Sequence, residues 1–580
     1  MGRPVYLGRL KLYWCDKCNL PLLGKKCGKC GAEGRKVNIT PPGEVRIGFE
    51  GDMQILNETL KRTFGTEIDG FLLFNRIPHY DRMDEVIMDG KVIGNLRYDV
   101  ERGNFTIALR MEGSYLLNDK ITKGWVIADK GAVEPILKGR NLMVPGVREC
   151  AEGIERGDEV IVRDPDGKAI AVGIAKMSSE EMRKLERGMA VKIRHSGYGK
   201  WEKRRQANIE EVIEVNEKYL KNIEERAVHF IKDIKRRYNL PMAVSFSGGK
   251  DSLVVLLLAL ESRLEFSIFF LDTGIELPET IEYVEEVEKK YNLNIDKISA
   301  GNAFFENLEH FGPPGRDYRW CCKACKLGPT TRYILENYPK GLLTLIGQRR
   351  YESMERMKKG SVWENEWVPN QLSASPIQEW TSLEVWLYIF WKRAPINPWY
   401  RRGLTRIGCY LCPSSDIADF YIEAKYFDGI EKWFEYLRKY AKERGIPEEW
   451  VKSSWRWKNP PKWAGGIEIE RNKLEVNFEG EKWKKVKLNK EIDMDVVENL
   501  LFALPEGSWR IKNGNVEVDN RFLREAESLI IRSQECIGCG ICLGRCPVDA
   551  LILIDGKIKI VEDKCIHCLD CLGKCPAEEF

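Results

Sequence analysis

The chain has 580 residues, 43% of them apolar and 31% charged, with a formal net charge of +4. That apolar share excludes a disordered chain, and the length calls for several domains. The longest apolar run, near Leu253–Leu260, falls far short of the ~20 residues a spanning helix needs, so no membrane partner is expected. Without a basic-then-apolar leader, the expected location is the cytoplasm. Charges of both signs nearly cancel, so any RNA site must be a local patch. Of the 18 cysteines, 17 fall into clusters at ligand-like spacing and Cys150 stands alone. In a long cytoplasmic chain that pattern reads as metal binding rather than a disulfide framework. Cys150 is expected to be a small buried apolar residue.

Residues 1–35 carry Cys15-x2-Cys18 and Cys27-x2-Cys30, two knuckles that can close a tetrahedral four-sulfur site. A segment this short needs a metal to hold it. The pattern resembles a zinc ribbon; zinc is the expected ion, with rubredoxin-type iron as the alternative. Residues 36–120 read as a small α/β unit, helical from Asn57 to Phe64, with strands over Val92–Leu96 and Phe105–Met111 and a surface loop at His79 and Tyr80. Residues 121–197 alternate short strands and turns, from Lys138-Gly-Arg-Asn-Leu-Met-Val-Pro-Gly-Val147 through Gly157-Asp158 and Ala171-Val-Gly173 to Gly188-Met-Ala-Val191. That segment resembles a PUA domain, a pseudo-barrel of RNA-modifying proteins, which implies RNA, tRNA above all, as a partner. Lys138, Arg140, Arg148 and Lys168 are its candidate phosphate contacts. Residues 198–236 read as a helical connector, with apolar positions such as Val212, Leu220 and Ile223 at helix spacing.

Residues 237–415 alternate apolar strands with charged helices, as in a parallel, helix-covered sheet. One strand ends in Ser245-Phe-Ser-Gly-Gly-Lys-Asp-Ser252 and opens into the apolar run from Leu253. Gly248 and Gly249 let the backbone approach a ligand closely, and the loop N–H groups with the helix dipole suit phosphate oxygens. Lys250 adds a cation, and Ser247 and Ser252 add hydroxyls. The string is not the GxxxxGK[ST] loop of common NTPases. A second strand ends at Phe269-Phe-Leu-Asp-Thr-Gly274, and cations follow in Ile346-Gly-Gln-Arg-Arg350 and Arg356. Residues 416–465 form a helical extension rich in Trp and Tyr, and residues 466–530 a small α+β piece. Residues 531–580 repeat C-x2-C-x2-C-x3-C-P, the two-cluster ferredoxin run in which the fourth Cys of each run ligates the other cluster. One [4Fe–4S] cluster is therefore expected on Cys536, Cys539, Cys542 and Cys575, the other on Cys565, Cys568, Cys571 and Cys546.

The loop resembles the SGGxDS signature of PP-loop pyrophosphatases. With the strings that follow it through Ile407-Gly-Cys-Tyr-Leu-Cys-Pro413, it resembles the phosphoadenosine phosphosulfate (PAPS) reductase family. The resemblance covers residues 237–415 and implies a multidomain α/β enzyme: a PP-loop parallel sheet with helices on both faces, joined to the zinc ribbon, PUA barrel and ferredoxin-type domain. It implies that Ser247, Gly248, Gly249, Lys250, Asp251 and Ser252 bind phosphates of ATP with Mg, that Asp272 lies beside the nucleotide, and that Arg349 and Arg350 meet the substrate's anionic end. Cys321-Cys322 and Cys409-x2-Cys412 look like the set that holds a third [4Fe–4S] cluster in adenylylsulfate reductases, zinc being the alternative. Cys325 is the extra thiol, a replacement ligand or a nucleophile lowered in pKa by Lys323, Lys326 and Arg319, and with Lys250 and Asp251 it is the candidate catalytic group. Two departures matter. Reductases of this family carry a weakened loop, and they attack sulfur with a Cys in an ECGLH-like tail; here the loop is complete, and after Cys412 the next cysteine is Cys536. The expected activity is ATP-dependent sulfur transfer to tRNA, with electrons reaching the ferredoxin domain from an external donor. The alternatives are a sulfonucleotide reductase releasing sulfite and an RNA-binding iron–sulfur sensor.

Overall fold

The computed structural model describes residues 10–460, 474–512 and 515–580. Its central body is a six-stranded sheet in the spatial order Asp296–Ser299, Ser267–Asp272, Met242–Ser245, Leu342–Ile346, Gln371–Ala374 and Val362–Glu364. The first five strands run parallel and the edge strand is antiparallel. From Met242–Ser245 the chain builds outward to one side, then crosses back to start the other side at Leu342–Ile346. Parallel strands carry their crevice at such a reversal, beyond the carboxyl ends. Helix Lys250–Ser262 covers the sheet with a fully buried run from Leu253 to Ala259, which is why this stretch reads as apolar throughout rather than amphipathic.

Helix Ile209–Tyr238 is more than a connector. Its buried stripe, including Val212, Leu220, Ile223 and Ile231, packs on Lys250–Ser262 and Ser382–Trp391. Buried Asn216 on the same helix donates to Pro21 O at 3.0 Å and accepts from Leu23 N–H at 2.8 Å. Those bonds fasten the small N-terminal sheet of Tyr13–Cys15, Leu20–Leu22 and Arg35–Lys36 to the central body.

The next unit is a five-stranded antiparallel sheet, Glu44–Ile47, Leu72–Arg76, Met83–Met88, Lys91–Asp99 and Asn104–Leu109, beside helix Glu50–Phe64. That helix starts seven residues before the expected Asn57, because Asp52 reaches back to the Phe49 N–H at 3.0 Å and closes its first turn. Met111, expected to end a strand, instead begins helix Met111–Leu117. The strand stops at Leu109, whose N–H goes to Glu159 at 2.9 Å and whose carbonyl accepts from Arg194 at 3.0 Å. His79 and Tyr80 are exposed in a loop.

A six-stranded sheet over Trp125–Ala128, Leu142–Met143, Val147–Cys150, Glu159–Arg163, Ala169–Ala175 and Met189–Ser196 follows. It buries Cys150 to 3% exposure, as a small apolar residue should be. After the central sheet come helices Ile417–Glu423, Gly429–Glu443 and Glu449–Lys452 and the turn Ser454–Arg456, in which Trp433, Trp450 and Trp455 are core residues. The expected boundary at 465/466 lies outside the described residues. A four-stranded antiparallel sheet, Val476–Glu479, Trp483–Leu488, Asn515–Asp519 and Trp509–Lys512, packs with helices Met494–Leu501 and Leu523–Glu535. The tail adds one hairpin, Leu551–Ile554 and Lys557–Ile560, among its cysteines. Among the described residues no helix is long and apolar enough to cross a membrane.

Candidate functional site

At the carboxyl ends of Met242–Ser245 and Leu342–Ile346 lies a cavity of about 340 Å³, lined by Ser247, Gly249, Lys250, Asp251 and Ser252. Gly248 sits at φ +72°, and a Cβ there would stand 2.8 Å from Thr280 Cγ2, so the turn requires glycine. Gly347 lets the neighbouring strand end meet the loop, since its Cβ would lie 2.5 Å from the Asp251 and Ser252 backbone. Within the loop, the Ser247 N–H donates to Ser252 Oγ at 3.1 Å, and Ser252 Oγ donates to Gly249 O at 2.9 Å. The Lys250 N–H donates to buried Tyr400 Oη at 2.9 Å. Among the described residues the Gly248 and Gly249 N–H groups make no hydrogen bond, which is the donor pair an anion needs. The cavity also presents Lys326, Arg356 and Arg406 against Glu276 and Glu352.

Arg349 and Arg350, expected at the substrate's anionic end, are not among the cavity's lining residues. Arg349 is 3% exposed, with Nε on Asp251 at 2.6 Å and Nη1 on Glu44 at 2.7 Å. Its charge is taken up by two carboxylates, and it works as a brace between the loop and the N-terminal five-stranded sheet. Arg350 pairs at the surface with Glu379 at 2.8 Å. Asp272 also lies off the cavity, accepting the Gly274 N–H at 2.8 Å. Lys250 is buried and pairs with Asp251 at 2.7 Å. Burial alone would raise the Asp251 carboxyl, but the Arg349 and Lys250 charges outweigh it and hold the group well below the usual carboxylate range. Tyr400, Lys326, Glu276 and Arg406 were not singled out as site residues from sequence. Of these only Lys326 carried a usable signal, its place one residue after Cys325.

The central thiols share a wall with this cavity. Residues after strand Ser267–Asp272 bridge to the Cys409 segment, with the Tyr410 N–H on Ile275 O at 3.0 Å. Glu276, which lines the cavity, accepts from Thr273 Oγ1 at 2.7 Å, and Thr273 Oγ1 is 3.4 Å from Cys409 Sγ. Lys326 lies within electrostatic reach of Cys409 and Glu276, and their negative charge, where ionised, raises its ammonium against burial, while burial itself pushes the Cys409 thiol well up. Cys321 lies within electrostatic reach of Cys322, Cys409 and Cys412, so the fold gathers these four. Cys322 is the thiol pulled down, to about 5, by its hydrogen bond with Cys321 and then by Lys326, Arg319 and Lys323. Cys325 behaves in the opposite sense to its expectation. It is 2% exposed, and burial pushes its thiol up to about 12, with the Cys322 charge adding to the rise and Lys326 opposing it. A buried, protonated thiol is a poor nucleophile, so the expected lowering of Cys325 by its cationic neighbours is not seen here.

Sulfur spacing separates the cysteine groups. Ligand atoms of Cys15, Cys18, Cys27 and Cys30 all lie within 4.8 Å of one another, with Cys15–Cys30 at 3.5 Å and Cys18–Cys27 at 3.8 Å. A single tetrahedral ion with metal–sulfur bonds near 2.3 Å sets its sulfurs ~3.8 Å apart, so this group fits zinc or one iron. Among the described residues no other group of three or more ligating side chains is drawn that close. In the tail, Cys542 feels Cys539, Cys575 and Cys536, while Cys571 feels Cys546, Cys565 and Cys568, so each fourth cysteine stands with the other run. On the 124–197 sheet unit, Lys138, Arg140, Arg148 and Lys168 are all exposed, with Lys138 paired to Glu134 at 2.5 Å.

Comparison with known proteins places these parts. Residues 241–415 match the phosphoadenosine phosphosulfate reductase domain, 124–197 the PUA domain and 528–576 a 4Fe-4S dicluster domain. An uncharacterized protein of Methanocaldococcus jannaschii is 36% identical over 470 residues, covering 78% of this chain and 98% of its own. Adenosine 5'-phosphosulfate reductase of Salinibacter ruber is 27% identical over 177 residues, 30% of this chain and 68% of that protein. Among solved structures, a conserved PUA domain protein from Thermoplasma acidophilum is similar at 25% identity and a TM-score of 0.22, over 26% of this chain and 93% of that one.

Proposed function

The chain belongs to the phosphoadenosine phosphosulfate reductase family, and from that premise we propose that it is an ATP-using enzyme that replaces an oxygen of a tRNA base with sulfur. The observation that carries this reading is the shared wall: Glu276 and Lys326 line the nucleotide cavity and at the same time contact or feel the Cys409 thiol. Activation and sulfur delivery thus fall side by side.

In this reading ATP enters with Mg, its phosphates held by Lys250, the serine hydroxyls and the unpaired glycine N–H groups. The base carbonyl oxygen attacks the α-phosphorus, the ring N–H proton passes to the leaving pyrophosphate, and the α–β P–O bond breaks. Two electrons split the S–S bond of a persulfide donor into thiolate and bisulfide. Bisulfide attacks the activated carbon, the C–S bond forms, the C–O bond breaks and AMP leaves, with the bisulfide proton passing to the ring nitrogen. Bound on the tail and central sets, iron–sulfur clusters would supply those electrons one at a time. Lys138, Arg140, Arg148 and Lys168 neutralise RNA phosphates, and the N-terminal quartet holds a structural zinc.

A second reading, sulfonucleotide reduction to sulfite, is favoured by the similarity to adenosine 5'-phosphosulfate reductase. Anaerobic protein incubated with ATP and either total tRNA or adenylyl sulfates separates the two. AMP and pyrophosphate released in a tRNA-dependent way support sulfur transfer; sulfite formed from an adenylyl sulfate without RNA overturns it.

A further inference from the structure

The dicluster domain is pressed against the helical run that carries the central thiols. That run, Trp320–Cys322, Lys323–Leu327 and Gly328–Asn337, is continuous. A Cβ on Gly328 would stand 2.5 Å from Cys539 O, so only glycine lets the two backbones lie this close. One turn on, Arg332 Nη1 donates to Cys539 O at 2.7 Å and to Gly538 O at 3.3 Å. Lys323–Leu327 is one π-helical stretch, so the rise between Cys322 and Gly328 is below the ~9 Å that six α-helical residues would cover. Trp367 closes the same seam. Lys323, next to Cys322, lies 4.0 Å from its ring centroid, and Lys574, next to Cys575, lies 6.0 Å away. The two tail sets differ in exposure: Cys542 is buried, whereas Cys568 is exposed.

We propose that the seam of Gly328, Arg332, Trp367 and Lys574 is an electron junction with a fixed direction. The Cys536, Cys539, Cys542 and Cys575 set is its inner end, and the set containing Cys568 is the end that receives electrons from a small one-electron carrier protein. The inference rests on the reading that the tail binds two clusters serving the central site. Each transfer oxidises the carrier by one electron and reduces its acceptor by one; no bond forms or breaks. Two transfers supply the pair that splits a persulfide. Gly328 sets the approach, and Arg332 is a positioning residue whose cation and N–H donors favour the more negative, reduced state of the inner set.

The test uses the full chain, reduced anaerobically with dithionite and followed by electron paramagnetic resonance. Cys568→Ala and Cys539→Ala assign the two tail signals; should Cys539→Ala not accumulate, Cys575→Ser assigns the same one. Dysprosium–EDTA in solution is expected to relax the signal lost in Cys568→Ala more strongly than the other. Arg332→Gln is expected to lower the midpoint potential of the inner signal alone, with Arg332→Lys restoring it. Trp367→Ala is expected to slow reduction of the central set without moving either tail potential. Equal or reversed relaxation, or an Arg332→Gln shift in the outer signal or in neither, overturns the junction. Absence of both tail signals in the unmodified protein overturns the iron–sulfur reading beneath it, and the junction with it.

Discussion

Replacing Arg349 by Met tests whether the nucleotide loop is pinned from outside its own domain. Arg349 is 3% exposed and holds Asp251 at 2.6 Å and Glu44 at 2.7 Å. Met fills similar volume but strips one charge from between two carboxylates, leaving Asp251 with Lys250 and Glu44 with the Ser382 N–H at 3.0 Å. Removing one partner of a buried pair costs about 3–5 kcal/mol, because the charge left behind is uncompensated. At ~1.4 kcal/mol per factor of ten, that is a loss of roughly two to three and a half powers of ten in hydrogen-exchange protection for amides that open with the loop. The pH dependence has a definite sign. The Asp251 carboxyl is depressed in the folded state, so its stabilisation is present above its unfolded value of ~3.9 and is lost as pH falls toward the folded one. The penalty of Arg349→Met is therefore largest near neutral pH and shrinks in acid. Glu44→Gln combined with Arg349→Met removes the second orphaned charge and is expected to recover part of the loss. Unchanged protection at residues 44–47 and 247–253 in Arg349→Met would refute the brace.

Cys409→Ala is expected to abolish the central iron signal while the two tail signals persist; unchanged iron content and spectra would show that the assignment of the central set is wrong. At the N-terminus the Ala32 N–H pulls the Cys30 thiol down to about 7. Because bound thiols must be deprotonated and burial raises the Cys15 and Cys18 thiols, metal retention there is expected to weaken as pH falls, read as metal per chain after dialysis. Loss of an ion bound there should expose residues 15–35 to proteolysis, since the knuckles then have nothing to close on. Asp419 is pushed up to about 6 by burial and by Asp416, against Arg82 and Arg76. Its folded value lies above the unfolded ~3.9, so stability is expected to fall as pH rises through ~4–6, and Asp419→Asn should flatten that slope. Hydrogen exchange over helix Ile417–Glu423 at both ends of the window measures it.

Motifs carried by contiguous residues were legible in the sequence because their chemistry depends on local spacing. The glycine loop at 247–252, the N-terminal knuckles and the tail runs each announce a backbone shape or ligand set within a few residues. The loop with the strings after it gave the family, the tail runs the dicluster domain, the strings of 121–197 the PUA domain and the alternation over 237–415 the parallel sheet, and all four hold. Helix Ile209–Tyr238 was legible as a helix from its period, but not as part of the sheet layer, since periodicity gives a face and not what it faces. What the sequence could not determine was where each charge is spent. Arg349 follows an apolar strand, as a ligand-binding arginine would, yet Glu44, 305 residues away, claims it. Cys325 sits among cations in sequence, yet the fold buries it until desolvation dominates their effect. Sequence alone showed which strings with phosphate-loop or metal-ligand spacing this protein has. Only the tertiary structure decided which charges reach the cavity and which sulfurs share its wall, because electrostatic partners and burial are set through space, by segments the chain brings together from hundreds of residues apart.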